Sequence, residues 1–208
     1  MIEREEQARA FCADICGSEG ILRIEKFIAL LALENERQNL VSTASLKNVW
    51  VRHIADSLQL LLYVPRETSP WLDMGSGAGF PGLAIAIARP DTTMHLVESR
   101  KRRVEWLDHI KTVFSLDNCV IKGSRLETVE SAPFAAITAR AFAPLGKLLT
   151  LSARFSTHST TWLLPKGRSA VQELEDQPTR IRSMFHVEQS LTDRHAAILI
   201  GQGRPQVP

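Results

Sequence analysis

The stretch Trp71-Leu72-Asp73-Met74-Gly75-Ser76-Gly77-Ala78-Gly79-Phe80-Pro81-Gly82 constrains the fold of this chain more than any other segment. Pro70 to Met74 is a short apolar run broken only by a carboxylate near its end, the pattern of a buried parallel strand at its C-terminal edge. Glycines follow at alternate positions, Gly75, Gly77 and Gly79. Pro81 then opens Pro81-Gly82-Leu83-Ala84-Ile85-Ala86-Ile87-Ala88, with a proline preset for the first turn of a helix. Glycine is required where the backbone turns sharply, or where no Cβ can stand between main chain and ligand. A strand, a glycine-rich turn and a helix in this order place a ligand at the carboxyl edge of a sheet, beside a helix N-terminus.

The pattern downstream alternates. It predicts strand 70–74, helix 81–89, strand 93–98, helix 101–114, strand 119–122, strand 134–138, helix 144–153, strand 160–164 and helix 168–177. Such alternation means an α/β fold, a parallel sheet with helices on both faces. Two more strand-like runs, 184–190 and 196–200, suit an antiparallel edge hairpin, and 201–208 reads as a frayed tail. Residues 1 to 64 read as helical. Ile21, Leu22, Ile24, Phe27, Ile28, Leu31 and Ala32 recur at the spacing of one buried helix face, and a second helix from near Ser45 carries Val49, His53, Ile54, Leu58, Leu61 and Leu62 on its apolar side. Pro65-Arg66-Glu67-Thr68-Ser69-Pro70 is the one linker-like segment. The expected organisation is an N-terminal helical extension over 1–64 and an α/β domain over 65–208, forming one compact unit.

The chain has 208 residues, 44% of them hydrophobic and 23% charged, ordinary values for a globular protein with a sizeable core. It has no apolar run near the roughly 18 residues of a membrane span, and Met1-Ile2-Glu3-Arg4-Glu5-Glu6 is too polar for a signal peptide. A cytoplasmic location is the expectation. Cys12, Cys16 and Cys119 lack the second Cys or His pair of a zinc set, so they read as free thiols and no metal is expected. A net charge of +2 is too small to announce nucleic-acid binding by itself. Local clustering is the stronger signal: from Ser99 to Arg125 seven Lys/Arg face three Asp/Glu, with Arg100, Lys101, Arg102 and Arg103 consecutive. Four cations at a helix N-terminus oppose the macrodipole, which points to an anionic partner, although a solvated first turn reads equally well from the sequence.

Spacing selects the small-molecule ligand. A dinucleotide fingerprint needs G-x-G-x-x-G, whereas Gly75, Gly77 and Gly79 give G-x-G-x-G, so an NAD-dependent oxidoreductase fits poorly. Asp73-x-Gly75-x-Gly77-x-Gly79 instead resembles the first motif of S-adenosylmethionine-dependent methyltransferases. Glu98, at the end of the β-prone run Thr92 to Val97, supplies the acid about 20 residues on that holds ribose hydroxyls.

Further blocks occur in one order: Asn39-Leu40-Val41-Ser42, Arg52-His53-Ile54-Ala55-Asp56-Ser57, the glycine motif, Lys101-Arg102-Arg103-Val104-Glu105-Trp106-Leu107, Ser124-Arg125-Leu126-Glu127 and Arg140-Ala141-Phe142. Over residues 20–200 this order resembles the ribosomal RNA small subunit methyltransferase G family, also called glucose-inhibited division protein B. The resemblance implies a Rossmann-like class I methyltransferase sheet, S-adenosylmethionine as cofactor, and N7-methylation of one guanine in 16S rRNA. It implies a cofactor site of Asp73, Gly75, Gly77, Gly79, Phe80, Glu98, Leu126, Glu127 and Arg140. Arg140, Lys166, Asn39 and His53 are implied on the reacting side. Arg140 would donate to guanine O6, a phosphate or the cofactor carboxylate, and Lys166 would meet rRNA phosphate. His53, with Arg52 and Asp56, would be a lid or brace over the cofactor. Asn39 would line the base pocket, and a helix C-cap reads equally well. Arg100, Lys101, Arg102 and Arg103 would form a basic rim for the rRNA or the small ribosomal subunit. Two other readings stay open: a methyltransferase with a different acceptor, and an rRNA-binding assembly factor without catalysis.

Overall fold

The computed structural model describes residues 1–207. Seven strands form one sheet: β1 (Trp71–Met74), β2 (Met94–Val97), β3 (Cys119–Lys122), β4 (Ala136–Thr138), β5 (Thr161–Lys166), β6 (Phe185–Gln189) and β7 (Ala197–Gln202), in the order β3-β2-β1-β4-β5-β7-β6. β1 to β5 are parallel, and the hairpin β6–β7 closes the far edge antiparallel to β5. The chain enters at β1 in the middle, steps out to β3, then crosses back to β4 on the other side of β1. That reversal between β1 and β4 opens a crevice at the carboxyl ends of the strands, where ligands bind in open α/β sheets.

The helices are α1 (Glu5–Asn35), α2 (Thr43–Leu46), α3 (Asp56–Leu58), α4 (Gly82–Ala88), α5 (Lys101–Phe114), α6 (Leu145–Ser152), α7 (Ala170–Glu175) and α8 (Thr179–Arg182). They cover both faces. On one, Ile24, Phe27 and Leu31 of α1 share a buried cluster with Leu83, Ile87, Trp106 and Ile110 of α4 and α5. On the other, Leu145, Leu148, Ala170 and Ile181 pack on Leu72, Ile137, Trp162 and Leu199. The expected fold class is therefore the observed one. The N-terminal helix packs on α4 and is part of the main core, since each large apolar side chain buried there contributes about 1.5–3 kcal/mol.

Several expectations are corrected. Leu22 is exposed, so the buried face of α1 is narrower than its periodicity suggests. The second helix is not one helix. Ser42 Oγ accepts Ser45 N–H at 3.1 Å and caps α2, and the chain then forms a π-helical turn over Trp50–Ala55, α3, and a 3-10 turn over Gln59–Tyr63. The Glu5 carboxylate anchors the π turn by accepting Trp50 N–H and Val51 N–H at 3.0 and 2.9 Å. Wider and tighter turns change the angle per residue, which carries Leu62 out to solvent. The 65–70 segment is a tied-down turn in which Thr68 N–H donates to Pro65 O and Trp71 Nε1 to Thr68 O.

The C-terminal end is not frayed within the described residues. Gly201 and Gln202 complete β7, Gly203 O accepts Trp162 Nε1 at 2.8 Å, and Pro205 is buried; Pro208 lies outside the described residues. β5 runs through Pro165, two residues past its last pairing with β4 at Leu163, so the missing N–H interrupts no ladder on that side.

Candidate active site

The glycine turn after β1 is fastened by β2. Gly75 N–H and Ser76 N–H both donate to Val97 O, at 2.8 and 3.1 Å. At the end of β2, Glu98 accepts Gly77 N–H on one oxygen at 3.0 Å and Ser99 and Arg100 N–H on the other, each at 2.8 Å. One carboxylate thus gathers three amides from two loops. Gly75 and Gly77 have φ of 72 and 57°, which residues with a Cβ rarely adopt. They are also approached closely. A Cβ at Gly77 would stand 2.9 Å from the Arg103 guanidinium, and one at Gly75 would stand 2.7 Å from the Phe142 ring.

Two cavities open side by side at this edge. The first, of about 510 Å³, is lined by Gly75, Glu98, Arg100, Arg103, Leu126 and Glu127 among others. The second, of about 630 Å³, is lined by Arg52, His53, Asp56, Arg140, Lys166 and Thr192 among others. Ala141, Phe142 and Ala143 belong to both linings and form the wall between them.

Arg140, two residues beyond β4, lines the second cavity. One of its terminal nitrogens donates to Arg52 O at 3.2 Å and to Asp56 Oδ2 at 3.1 Å, and the other lies 3.1 Å from His53 Nδ1. The guanidinium also sits 5.3 Å from the Phe80 ring centre. These contacts use three of its five N–H groups, so the group is fixed in place with donors to spare. Arginine can only donate, so His53 Nδ1 accepts and its proton is on Nε2. Burial, then the neighbouring Arg140 and Arg52 charges, push His53 down to about 3, and the ring is neutral at physiological pH. It stacks on Phe80 at 4.8 Å. His53 packs against both Phe80 and Arg140, and is far too weak a base to take a proton near neutrality.

Asp56 holds the cluster together. Beyond Arg140 it accepts Thr192 Oγ1 at 2.8 Å and Gln59 Nε2 at 3.0 Å, joining the π-turn segment, the end of β4 and the β6–β7 connection. The family resemblance implied a lid or brace over the cofactor for Arg52, His53 and Asp56; here the three line the second cavity. The partners of Asp56 were not legible, because Thr192 lies 136 residues away.

Lys166 also lines the second cavity, and the other expected site residues, Asp73, Gly77, Gly79, Phe80 and Asn39, lie outside both. Lys166 does not reach outward for a phosphate. Its ammonium is bonded to Ala143 O at 3.0 Å and to Glu173 at 2.7 Å, and its side chain is only 8% exposed. Glu173, held low by Lys166 and Ser169, also accepts Leu145 N–H at 2.9 Å. The pair pins the wall between the cavities. Phe80 is buried under His53 and lines neither cavity. Asn39 is exposed in the turn after α1 and lines neither cavity. It is not the cap either. Glu36 is the C-cap of α1, and Asn35, the last helical residue, ties down the turn by accepting Leu40 and Val41 N–H at 2.9 and 3.0 Å. Of the basic run, Arg100, Lys101 and Arg102 are exposed, Arg102 donating to Arg37 O at 3.0 Å, while Arg103 is half-buried and lies over Gly77; Arg100 and Arg103 line the first cavity. The four do not form one uniform rim.

Asp73 is fully buried behind the glycine turn. Its Oδ2 accepts Gly82 N–H at 3.1 Å at the start of α4, while Oδ1 has no partner among the described residues. Burial pushes this carboxyl up to about 6. The folded state therefore holds the proton more tightly than the unfolded chain, whose carboxyl titrates near 3.9, and stability is lost as pH rises from about 4 through 6. Asp73→Asn removes that titration. Thermal melts from pH 5 to 8 are expected to show wild type losing ground to the Asn variant until about pH 7, then a constant gap. A gap independent of pH over this range would refute the assignment.

Among the described residues, no helix is long and apolar enough to cross a membrane, and no group of three His, Cys, Asp or Glu side chains comes together to hold a metal ion.

Comparison with known proteins bears on this geometry. The family model for rRNA small subunit methyltransferase G (GidB) matches residues 21–199. The chain is 59% identical over 204 residues to the ribosomal RNA small subunit methyltransferase G of Erythrobacter litoralis, covering 98% of this chain and 99% of that one. It is 51% identical over 203 residues to the protein of that name from Novosphingobium aromaticivorans, covering 95% and 88%. Among solved structures, a TehB-like S-adenosylmethionine-dependent methyltransferase from Corynebacterium glutamicum superposes with a TM-score of 0.51 at 12% identity, over 71% of this chain and 87% of that one, a likeness of fold.

Proposed function

Because the chain belongs to the rRNA small subunit methyltransferase G family, we propose that it transfers the methyl group of S-adenosylmethionine to N7 of a guanine in 16S ribosomal RNA, in the cytoplasm. The observation that carries this reading is the pair of cavities sharing one wall, with a fixed arginine in the second, next in sequence to that wall.

The residues of the first cavity suit the cofactor. Gly75, at a positive φ, lines this cavity with Glu98, which ends β2 where an acid holds ribose hydroxyls and fixes the turn through Gly77 N–H. Leu126 and Glu127 border the opposite side, where an adenine would lie. Asp73 supports the turn from behind and does not face the cavity. When bound, S-adenosylmethionine supplies a methyl group made electrophilic by its sulfonium.

The second cavity suits the base. Guanine N7 carries an in-plane lone pair, so no proton has to be removed before attack, and a neutral His53 of very low basicity is compatible with that chemistry. What remains for the protein is to position the partners within about 3–3.5 Å and to complement the moving charge. Arg140 does the first by donating to O6 or to a phosphate; donation to N7 would block the nucleophile. Asp56 and His53 keep it from rotating. Lys166 acts through the wall it pins and makes no direct RNA contact.

The decisive test offers tritiated S-adenosylmethionine with small ribosomal subunits, deproteinised 16S rRNA and tRNA. Label in 7-methylguanine of 16S rRNA, in either form, is the expected result. Label on another base or on tRNA alone would reassign the acceptor, and no transfer to any of them would leave an assembly factor.

The exposed part of the basic run that lies outside the first cavity has its own expected result. Replacing Lys101 and Arg102 with serine should flatten the log–log salt dependence of RNA binding by about two units, with cofactor affinity nearly unchanged. An unchanged slope would return those residues to a solvated helix start.

A further inference from the structure

The wall between the cavities carries a side chain whose position conflicts with the cofactor site assigned to Gly75. Phe142 lies against Gly75 so closely that a Cβ there would be 2.7 Å from the ring. The ring thus covers the Cβ side of Gly75, a residue that lines the first cavity, and a ligand seated on that side competes with it. Phe142 also lines the second cavity. The backbone is poised to let it turn. Ala141 holds φ at 52°, a left-handed conformation unusual for a residue with a Cβ, and the segment from Ala141 to Ala143 makes only bends between β4 and α6. Lys166, bonded to Ala143 O, limits how far the segment moves.

From these positions, and resting on the reading above, we infer that Phe142 is a substrate-positioning residue: cofactor on Gly75 turns its ring into the second cavity, where it stacks on the target guanine. An aromatic face suits that task. It fixes the plane of the base while leaving N7 and the hydrogen-bonding edges free, and Arg140, two residues away, supplies the in-plane contact. Cofactor binding then precedes productive RNA binding, because the stacking surface is delivered by the first event.

The test uses Phe142→Trp, Phe142→Ala and Phe142→Tyr in the full chain, each checked by thermal melt, with Phe142→Leu as a further ring-free variant should alanine fail to fold. Calorimetry of wild type with S-adenosylmethionine comes first; no binding there would fail the proposed function, not this inference. Given binding, the tryptophan variant should change its emission on addition of S-adenosylhomocysteine without RNA, beyond the change in wild type. The alanine variant should keep or slightly improve cofactor affinity, while KM for RNA rises on the order of 10-fold or more, and tyrosine should restore it. An unmoved tryptophan signal, an unchanged KM in both ring-free variants, or a loss of cofactor affinity with KM for RNA intact would each overturn the inference.

Discussion

Arg140→Ala is expected to lower methyl transfer by on the order of 10²-fold or more in single-turnover assays, the usual cost of lost positioning, while the melting temperature stays within a few degrees of wild type. Stability survives because Asp56 keeps Thr192 Oγ1 and Gln59 Nε2 as donors on Oδ1 once the guanidinium is gone, and the Oδ2 that Arg140 leaves belongs to a residue lining the open second cavity. Arg140→Lys should not rescue the activity. A single ammonium cannot bond Arg52 O and Asp56, lean on His53 and still present two donors to a ligand. Asp56→Asn should reproduce part of the loss, and the double variant should be little worse than Arg140→Ala, since both substitutions disable the same contact. Full activity in the lysine variant would show that only charge matters here. A collapse of the melting temperature with turnover intact per folded molecule would make Arg140 structural.

Gly77→Val should abolish S-adenosylmethionine binding by calorimetry while the circular dichroism of the sheet and helices is retained. The residue sits at φ 57°, where a β-branched side chain is strained, and its amide is held by Glu98. A valine would have to push the Arg103 guanidinium aside and would project into the cradle, or else drag the amide off Glu98. Either way the turn loses its shape for the ligand, but no core side chain is disturbed. Gly77→Ala should lie between the two, because its one methyl group meets only the flexible end of Arg103. Equal affinity in the valine variant would remove Gly77 from the cofactor site.

The fold was legible because its signals are local. A strand run ending in Asp73, glycines at alternate positions, a helix start at Pro81 and an acid at Glu98 are neighbours in the chain, and their geometry follows from φ preferences and strand spacing alone. The edge hairpin was legible for the same reason, from two β-prone runs that became β6 and β7. Where periodicity misled, at Leu22 and Leu62, the helix narrowed its contact face or changed its turn.

The candidate site was legible only as a set of residue types. Arg140, His53 and Glu98 could be picked out as chemistry-bearing, but what each one does depends on partners that the sheet order brings close. Arg140 meets Asp56 across 84 residues, and Asp56 meets Thr192 across 136. Lys166 looked like a free cation until Glu173 was placed beside it, and Arg103 looked like rim until it was found over Gly77. By itself, then, the sequence determined the sheet, the glycine cradle and the kind of ligand it takes, because these rest on backbone conformation and short-range spacing. Only the tertiary structure decided which charges are free and which are neutralised, and which ring covers Gly75. Those are properties of distances across the fold, where a contact of 3 Å separates a phosphate ligand from a buried ion pair.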